Sequence, residues 1–396
     1  MSRDLLHAAQ LSFFVDPEGR SATQLLDVWP TLVDVAEAAS RAGVRVSVVQ
    51  ASQHADTARR GDTLFHFLPF GDSKSGSGKA SPLAALLRAL APDVLHVHGL
   101  GFPRELLALK SSISGIPIIV QDHASRPPRL WHRRAWRRAL AGVDGVAFCS
   151  ARQAEPFLSA RVIDARSRLY EIPESTTRFE PGDREEARRA TGLDGEPCVL
   201  WVGHLDSNKD PLTVLAGVRH ALRSWPRLRL YCCFGQAPLM RAVRRQIAKD
   251  PQLRAAVHLI GFRPHEEIEQ LMRAADMFVL GSHREGSGYS LIEALACGLP
   301  PIVTDIPSFR TLTGAGRVGA LWPCGDAQAL AAALQSLAQR ASPQLRAAVR
   351  AHFESELGFE ALGMKLASMY RDVVQLARPA PDAAPKRSER VVLHAP

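Results

Sequence analysis

Two glutamates flank a glycine-rich loop in the segment REGSGYSLIE, which runs from Arg284 to Glu293. Glu285 precedes the loop Gly286-Ser287-Gly288, and Glu293 lies in the apolar segment that follows it. An apolar strand pattern ends before this loop, and a helix is predicted to begin at Tyr289. A strand, a glycine turn and a helix amino terminus together present free backbone N–H groups and a positive dipole end. The segment therefore predicts an anion site that a diphosphate would fit.

The two carboxylates need a partner other than the anion, because a diphosphate repels a carboxylate. They would suit a ligand that also carries hydroxyl donors, such as ribose or another sugar. In the predicted helix the apolar stripe leaves Ser290, Glu293 and Cys297 on another face, within reach of the loop. The alternative is that Glu293 is a solvated helix residue and Glu285 a first-turn charge favoured by the dipole.

Three histidines lie at or near the carboxyl ends of predicted strands. His96 and His98 alternate with apolar residues in VLHVHG, and His123 ends the apolar run IPIIVQDH. In open parallel sheets ligands bind beyond the carboxyl ends of the strands. We therefore predict functional roles for His123 and, on the acceptor side, His98, and a structural role for His96.

The elements that must position these residues follow an alternating pattern. Apolar strand-like runs of six to eight residues recur from Ala9 to Ser150 and again from Cys198 to Asp305, mostly separated by helical segments. Near-continuous apolar strands joined by helices predict parallel sheets covered on both faces. The polar, proline-containing segment Glu171 to Asp183 is predicted to link two such domains. The expected α/β architecture is two doubly wound domains facing a central cleft.

Composition limits the function classes. The chain has 396 residues, enough for two cores, and a net charge of +9, which suggests an anionic partner. No apolar run reaches the length of a membrane-spanning helix, and the amino terminus does not resemble a signal peptide. The six cysteines lack disulfide or zinc spacing. We expect a cytoplasmic protein with reduced thiols.

Several segments, in the right order, resemble a known family. Glu285 through Glu293 followed by ALACGLPPIVTD is similar to the E-x7-E signature of the family-4 retaining glycosyltransferases, whose fold is the two-domain GT-B type. The family's phosphate-binding strand and loop resemble CVLWVGHLDSNKDPLTVL, its segment near the nucleotide base resembles GFRPHEEIEQLMRAADMFVLGS, and its late turn and helix resemble GALWPCGDAQALAAAL. The acceptor-domain pattern is matched by PDVLHVHG and GIPIIVQDHAS. The resemblance implies an acceptor domain over 1–175, a nucleotide-sugar domain over 176–360, a helix over 361–376 packing back on the first domain, and a disordered tail over 377–396.

The resemblance also implies site roles. Catalytic roles would fall to Glu285, His123 and Lys209, with Glu285 on the donor sugar, Glu293 on the ribose and Lys209 on the diphosphate. Arg126 and His98 would lie on the acceptor side. The remaining donor-binding residues would come from two loops: Gly203, His204, Gly286, Ser287, Gly288, Tyr289 and Ser290.

The implied reaction moves a sugar from a nucleoside diphosphate to an acceptor hydroxyl with retention, on a glycan, a glycolipid or a small molecule. No cofactor and no metal ion are expected, because Lys209 and the helix dipole would stabilise the leaving diphosphate. Two departures from the family stand out. His204 replaces the usual arginine of the G-R-L-x-x-x-K pattern, and Val15 to Arg20 replaces the glycine pair after the first strand.

Two alternatives remain open at this stage. A sugar-nucleotide 2-epimerase shares the architecture, although the E-x7-E loop argues against it. A non-catalytic sugar-nucleotide-binding protein is suggested by His204 and by the missing glycine pair. Nucleic-acid binding is not expected, because the basic residues form no recognisable module.

An arginine-rich segment could add a membrane partner. RPPRLWHRRAWRR, from Arg126 to Arg138, contains six arginines and two tryptophans and is predicted to be helical. Basic residues near an anionic bilayer each contribute about 1 kcal/mol, so the segment could dock peripherally on the inner face of a membrane. The alternative is a solvated arginine-rich helix.

Overall fold

The computed structural model describes residues 5–69 and 81–377. The sequence-predicted disordered tail, apart from its first residue, lies outside these ranges. The described residues form two sheets, each with its own hydrophobic core. The strands, in chain order, are β1 His7–Ser12, β2 Arg45–Ala51, β3 Asp56–Arg60, β4 Thr63–Leu68, β5 Val94–His98, β6 Ile118–Gln121, β7 Gly145–Phe148, β8 Leu169–Glu171, β9 Cys198–Val202, β10 Arg229–Cys233, β11 Val257–Gly261, β12 Met277–Leu280, β13 Pro301–Thr304 and β14 Ala320–Trp322.

Helices cover both sheets, and most begin at a residue suited to a helix start. Proline occupies the first turn of several helices, as at Pro30, Pro82, Pro103 and Pro211, where its missing N–H costs no hydrogen bond. The helices are α1 Ala22–Val28, α2 Pro30–Arg41, α3 Pro82–Leu90, α4 Pro103–Ser112, α5 Arg133–Leu140, α6 Glu155–Ser159, α7 Arg184–Thr191, α8 Pro211–Ala221, α9 Met240–Lys249, α10 Pro251–Ala256, α11 His265–Ala274, α12 Tyr289–Ala296, α13 Pro307–Leu312, α14 Ala327–Arg340, α15 Pro343–Glu356 and α16 Phe359–Ala377.

Both sheets have the strand order of doubly wound domains. The first sheet runs β3-β4-β2-β1-β5-β6-β7-β8, and the second runs β11-β10-β9-β12-β13-β14. Adjacent strands are parallel except for β3, which pairs antiparallel with β4 at the sheet edge. In each sheet the order reverses beside a central strand, β1 or β9, which places a ligand crevice at the carboxyl ends of neighbouring strands. The predicted fold class is confirmed.

Three short strands were not predicted from the sequence: β3, β8 and β14. They lie at sheet edges, and β3 is polar, with the sequence DTARR. An edge strand needs little apolar sequence because only one side of it pairs. The observed strands also end earlier than most predicted ones. The extra apolar residues, such as Phe13 and Leu205, pack in the loops that follow.

The chain crosses between the two sheets twice. Residues 172–183 lead from β8 to α7, and α16 returns to pack against α2 of the first domain. A Cβ on Gly363 would overlap the carbonyl oxygen of Ala38, so glycine permits this close helix contact. Tyr370 of α16 reaches the first sheet, where its hydroxyl lies 2.8 Å from His96 Nδ1.

No helix within residues 5–69 and 81–377 has the length and hydropathy needed to span a membrane. All six cysteines are free thiols, and five of them are buried. Burial raises the pKa of four of these thiols, those of Cys149, Cys198, Cys232 and Cys233, to about 11 or 12, so they stay protonated at neutral pH.

Candidate active site

The loop that carries Glu285 joins β12 to α12 at the carboxyl edge of the second sheet. Gly288 is the residue before the helix and has a φ of +80°, a left-handed conformation that favours glycine. A Cβ at Gly288 would also crowd the ring of Phe309. The helix starts at Tyr289, as the sequence predicts, and its positive dipole end faces this loop.

Lys209 lies in the connection between β9 and α8, and its side chain reaches the loop that carries Glu285. Its Nζ lies 2.5 Å from Glu285 Oε1, and both side chains are largely buried. Asp206 Oδ1 accepts hydrogen bonds from the backbone N–H groups of Asn208 and Lys209, which fixes the turn before α8. Two residues 76 positions apart in the chain are therefore held as an ion pair at a helix amino terminus.

Glu293 lies in α12 and is 3% exposed. The solvated-helix alternative for this residue is therefore wrong. Its Oε1 lies 2.5 Å from His265 Nε2 at the start of α11, a partner that sequence reasoning missed. Burial raises the pKa of Glu293, and the hydrogen bond and charge of His265 oppose this shift. The hydrogen bond to Glu293 in turn raises the pKa of His265.

His204 is exposed and follows β9. Its Nδ1 accepts a hydrogen bond of 3.1 Å from the backbone N–H of Gln236. A neutral imidazole in this position carries its proton on Nε2, so it can still donate one hydrogen bond. Gly203 packs next to the Lys209 side chain, and a Cβ there would lie 3.7 Å from two Lys209 carbons.

Across the cleft, two histidines and a glutamate lie side by side. His98 ends β5 and His123 follows β6, and the His98 Nδ1 and His123 Nε2 atoms are 3.0 Å apart. The Glu174 Oε2 atom lies 3.5 Å from His123 Nδ1. Burial lowers the pKa of His123, but the Glu174 carboxylate and Asp122 outweigh burial and raise it overall. Burial, together with His96 and His123, lowers the pKa of His98.

His96 lies behind His98, with their ring centroids 4.3 Å apart. Its ring is fully buried against Tyr370, and burial lowers its pKa to about 3, so it stays neutral. Its hydrogen bond to the Tyr370 hydroxyl agrees with the structural role predicted for His96.

Contacts across the cleft join the two halves of the site. Gln153 Nε2 donates to the carbonyl oxygens of Glu285 and Gly286, at 2.8 and 3.1 Å. The backbone N–H of Glu174 donates to Ser287 Oγ at 2.8 Å. Neither Gln153 nor Glu174 was identified from the sequence, because each lies outside the quoted motifs. The only available signal was the position of Glu174 in the predicted linker.

A cavity of about 510 Å³ opens beside the histidines at the carboxyl edge of the first sheet. Its walls combine apolar side chains, such as Leu32 and Val48, with polar ones that include His98, His123 and Glu174. Phe14 and Trp29 form part of the wall, with ring centroids 5.6 Å apart. The cavity could hold a ring-sized group next to the histidines.

The segment that replaces the glycine pair folds as a tight turn beside this cavity. Asp16 is buried and accepts hydrogen bonds from the backbone and the guanidinium of Arg20, at 3.0 and 2.9 Å. Arg126 is exposed and lies near Arg284, since burial and the charge of Arg126 together lower the pKa of Arg284. Arg284 Nε donates to the Ala124 carbonyl oxygen across the cleft.

The two walls of the cleft offer different chemical groups to a ligand. One wall offers a cation, a helix amino terminus and two carboxylates, which suits an anion linked to hydroxyl-bearing groups. The opposite wall offers imidazoles and an apolar cavity. Tyr289 and Ser290 begin α12, and the Tyr289 side chain is half-buried with its ring stacked on His265.

Two family models cover most of this chain. The model described as Glycosyltransferase Family 4 matches residues 29–173, and the model described as Glycosyl transferases group 1 matches residues 183–351. The chain belongs to glycosyltransferase family 4. The resemblance read from the E-x7-E segment is thereby confirmed at the level of the family.

Two curated relatives of this family-4 glycosyltransferase are 28% and 30% identical to it over the aligned segments. A GDP-mannose:cellobiosyl-diphosphopolyprenol alpha-mannosyltransferase of Xanthomonas campestris is 28% identical over 276 residues, covering 67% of this chain and 70% of the relative. A 2-deoxystreptamine N-acetyl-D-glucosaminyltransferase of Streptomyces fradiae is 30% identical over 266 residues, covering 62% of this chain and 63% of the relative. The relatives differ in both donor and acceptor.

Solved structures of GT-B glycosyltransferases match nearly the whole chain. Sucrose-phosphate synthase from Thermosynechococcus elongatus superposes with a TM-score of 0.69 at 20% identity, over 94% of this chain and 100% of the other. Anabaena HepE in complex with UDP and glucose has a TM-score of 0.66 at 17% identity, over 93% and 100%. These similarities establish the shared fold.

Proposed function

We propose that this glycosyltransferase transfers a sugar from a nucleoside-diphosphate donor to an acceptor hydroxyl, with retention of the anomeric configuration. The observation that carries the proposal is the Lys209–Glu285 ion pair at the amino terminus of α12. A cation and a helix dipole suit a leaving diphosphate, whereas an adjacent carboxylate suits sugar hydroxyls.

In the proposed reaction the chain supplies fixed charges. Lys209 and the α12 amino terminus stabilise the negative charge that develops on the diphosphate as the glycosidic bond breaks. Glu285 accepts hydrogen bonds from the donor sugar, and Glu293 accepts them from the ribose. The acceptor attacks from the side that the phosphate leaves, and the departing phosphate takes the acceptor proton. We propose that the step needs neither a covalent glycosyl-enzyme nor a metal ion.

The acceptor is proposed to enter from the cavity beside His98 and His123. The names of the relatives describe transfer to a cellobiosyl-diphosphopolyprenol and to 2-deoxystreptamine. A glycan, a glycolipid or a small hydroxylated molecule is accordingly the acceptor class proposed for this chain.

A panel of nucleotides and nucleotide sugars tests the proposal. A ligand that binds only the folded state raises the melting temperature, and binding at 100 times Kd adds about 2.7 kcal/mol of stability. We expect one nucleoside diphosphate and its sugar to stand out, and the stabilised donor to be consumed only when an acceptor is added. Stabilisation without any turnover would favour a non-catalytic binding protein, and a sugar nucleotide epimerised without acceptor would favour an epimerase.

We further propose that the arginine-rich segment docks on an anionic membrane. Residues 130–132 form a 3-10 turn before α5, so the predicted helix is shorter than the segment. Leu130 and Trp131 are 71% and 69% exposed, whereas Trp136 is buried and stacks on Phe157. The two tryptophans therefore do not share a face. Arg129 and Arg134 are exposed near Trp131, which combines apolar insertion with positive charge.

Cosedimentation with vesicles tests the docking surface. We expect binding to phosphatidylglycerol vesicles at low salt, weaker binding at high salt and no binding to neutral vesicles. Trp131→Ala should reduce the bound fraction several-fold. Phe262→Ala is the matched control, because Phe262 is 72% exposed in the second domain. Equal losses in both variants, or binding that ignores vesicle charge, would contradict the docking proposal.

A further inference from the structure

Glu174 occupies a position that links the two walls of the cleft. It lies in the segment between the domains, lines the acceptor-side cavity and contacts both His123 and the loop that follows Glu285. Its Oε1 atom is buried and has no hydrogen-bond partner among the described residues. A buried carboxylate oxygen without a hydrogen-bond partner is costly, so the presence of a glutamate at this position needs an explanation.

We propose that Glu174 is a positioning residue for the transfer reaction, which orients the His123 imidazole and seats the Gly286–Ser287 turn. This inference rests on the proposed function. It assigns a role to a residue outside the sequence motifs, whose side chain contacts His123 and whose backbone N–H contacts the donor-side loop.

The imidazole of His123 is held from both of its nitrogens. Glu174 Oε2 is 3.5 Å from Nδ1, and His98 Nδ1 is 3.0 Å from Nε2. Glu174 and Asp122 are the negative groups that act on His123, and His96 lies behind His98 with ring centroids 4.3 Å apart. The raised pKa of His123 and the lowered pKa of His98 assign the extra proton to His123. The Nε2–H of His123 then donates to His98 Nδ1.

The loop contact depends on the absence of a side chain at residue 286. A Cβ on Gly286 would overlap the Glu174 carboxylate, so glycine is required for the carboxylate to lie there. Gly286 does not have a positive φ, so alanine at this position would displace the Glu174 carboxylate without straining the backbone. The Glu174 N–H donates to the neighbouring Ser287 Oγ at 2.8 Å. Movement of Glu174 therefore displaces both the imidazole and the turn.

The direct test replaces the charge and keeps the shape. In Glu174→Gln we expect the pKa of His123, followed by NMR of ring-labelled histidine and assigned with His123→Asn, to fall, because the carboxylate that raises it is gone. We expect kcat to fall about 10-fold to 100-fold, as for loss of the outer partner that orients a ligating histidine, with little change in donor KM. Glu180→Gln is the matched control, since Glu180 is an exposed carboxylate of the same segment.

A double-mutant cycle tests the loop contact separately. Gly286→Ala should lower kcat in the wild-type background but cost little more in a Glu174→Ala background, because the clashing carboxylate is then absent. Additive losses in the cycle would overturn the seating role. An unchanged His123 titration in Glu174→Gln would overturn the orienting role. The titration does not depend on turnover, so it remains decisive even if no nucleotide sugar proves to be a donor.

Discussion

The two walls of the cleft are built in different ways. On the second domain, Glu285, the glycine turn and Glu293 come from one continuous segment of a strand, a loop and a helix, and only their partners Lys209 and His265 come from elsewhere. On the first domain, His98 ends β5, His123 follows β6 and Glu174 follows β8. The wall of the second domain is specified by local sequence. The wall of the first domain exists only after the sheet and the interdomain segment have assembled.

The charges differ as well. Each carboxylate on the wall of the second domain lies 2.5 Å from a nitrogen of a basic side chain, Lys209 or His265. On the wall of the first domain two histidines lie side by side, and one of them contacts a carboxylate. A wall of paired charges is suited to hold a ligand whose charge is fixed. On the wall of the first domain, burial keeps His96 and His98 neutral, whereas the Glu174 carboxylate outweighs burial and raises the pKa of His123, so a change of charge with pH falls on His123. Substitutions on the wall of the second domain should therefore act on binding and leaving-group departure. Substitutions on the wall of the first domain should act through protonation.

The largest expected effect is on the ion pair of the donor wall. Lys209→Ala should lower kcat by about 100-fold to 1,000-fold, the usual cost of removing one group that stabilises charge in a transition state. Glu285→Ala should abolish measurable transfer, and the purified proteins should stay folded by circular dichroism. Lys249→Ala is the matched control, an exposed lysine at the end of α9. Near wild-type transfer by Glu285→Ala would remove that residue from the site.

Glu293 should affect binding more than turnover. Glu293→Ala should weaken donor affinity by about 1 to 3 kcal/mol, the range for hydrogen bonds to a charged group, as measured by calorimetry. Glu266→Ala provides an exposed control on α11. An unchanged donor affinity would leave the buried Glu293–His265 pair with a structural role only.

The same pair predicts a pH effect of known sign. His265 opposes the rise in the Glu293 pKa that burial causes, so His265→Asn should raise that pKa further. If the ionised carboxylate binds ribose, donor affinity falls as the pH drops through the Glu293 pKa. In His265→Asn this fall should begin at a higher pH than in the wild type. A binding curve that shifts to lower pH would contradict the assignment.

The smallest effect is expected at His204. Arginine adds a permanent charge but cannot accept the Gln236 N–H that His204 Nδ1 accepts. His204→Arg should tighten nucleoside-diphosphate binding only a few-fold, because the gain in charge is offset by the lost hydrogen bond. His220→Arg in α8 serves as the control. Weaker binding in His204→Arg would show that the diphosphate does not approach this side chain.

The contrast between the walls also explains what the sequence could predict. The alternation of apolar strands and helices predicted both doubly wound domains, and the start of α12 at Tyr289 followed from its glycine turn. The edge strands β3, β8 and β14 were missed because they are short, and β3 is polar.

Partners from distant elements were beyond sequence reasoning. His265 and Glu293 are 28 residues apart, and Gln153 lies 132 residues before Glu285, so no local spacing connects them. The arginine-rich segment shows the same limit. Its spacing could not reveal that Trp136 packs on Phe157 while Trp131 stays exposed.

The stereochemistry of the product tests the central claim most directly. The donor identified by thermal stabilisation would be incubated with wild-type protein and an acceptor, and the anomeric proton followed by NMR from the first turnovers onward. The account predicts a new glycosidic linkage with the anomeric configuration of the donor, formed together with free nucleoside diphosphate and lost in Glu285→Ala. A product with inverted configuration, or transfer that survives in Glu285→Ala, would contradict it.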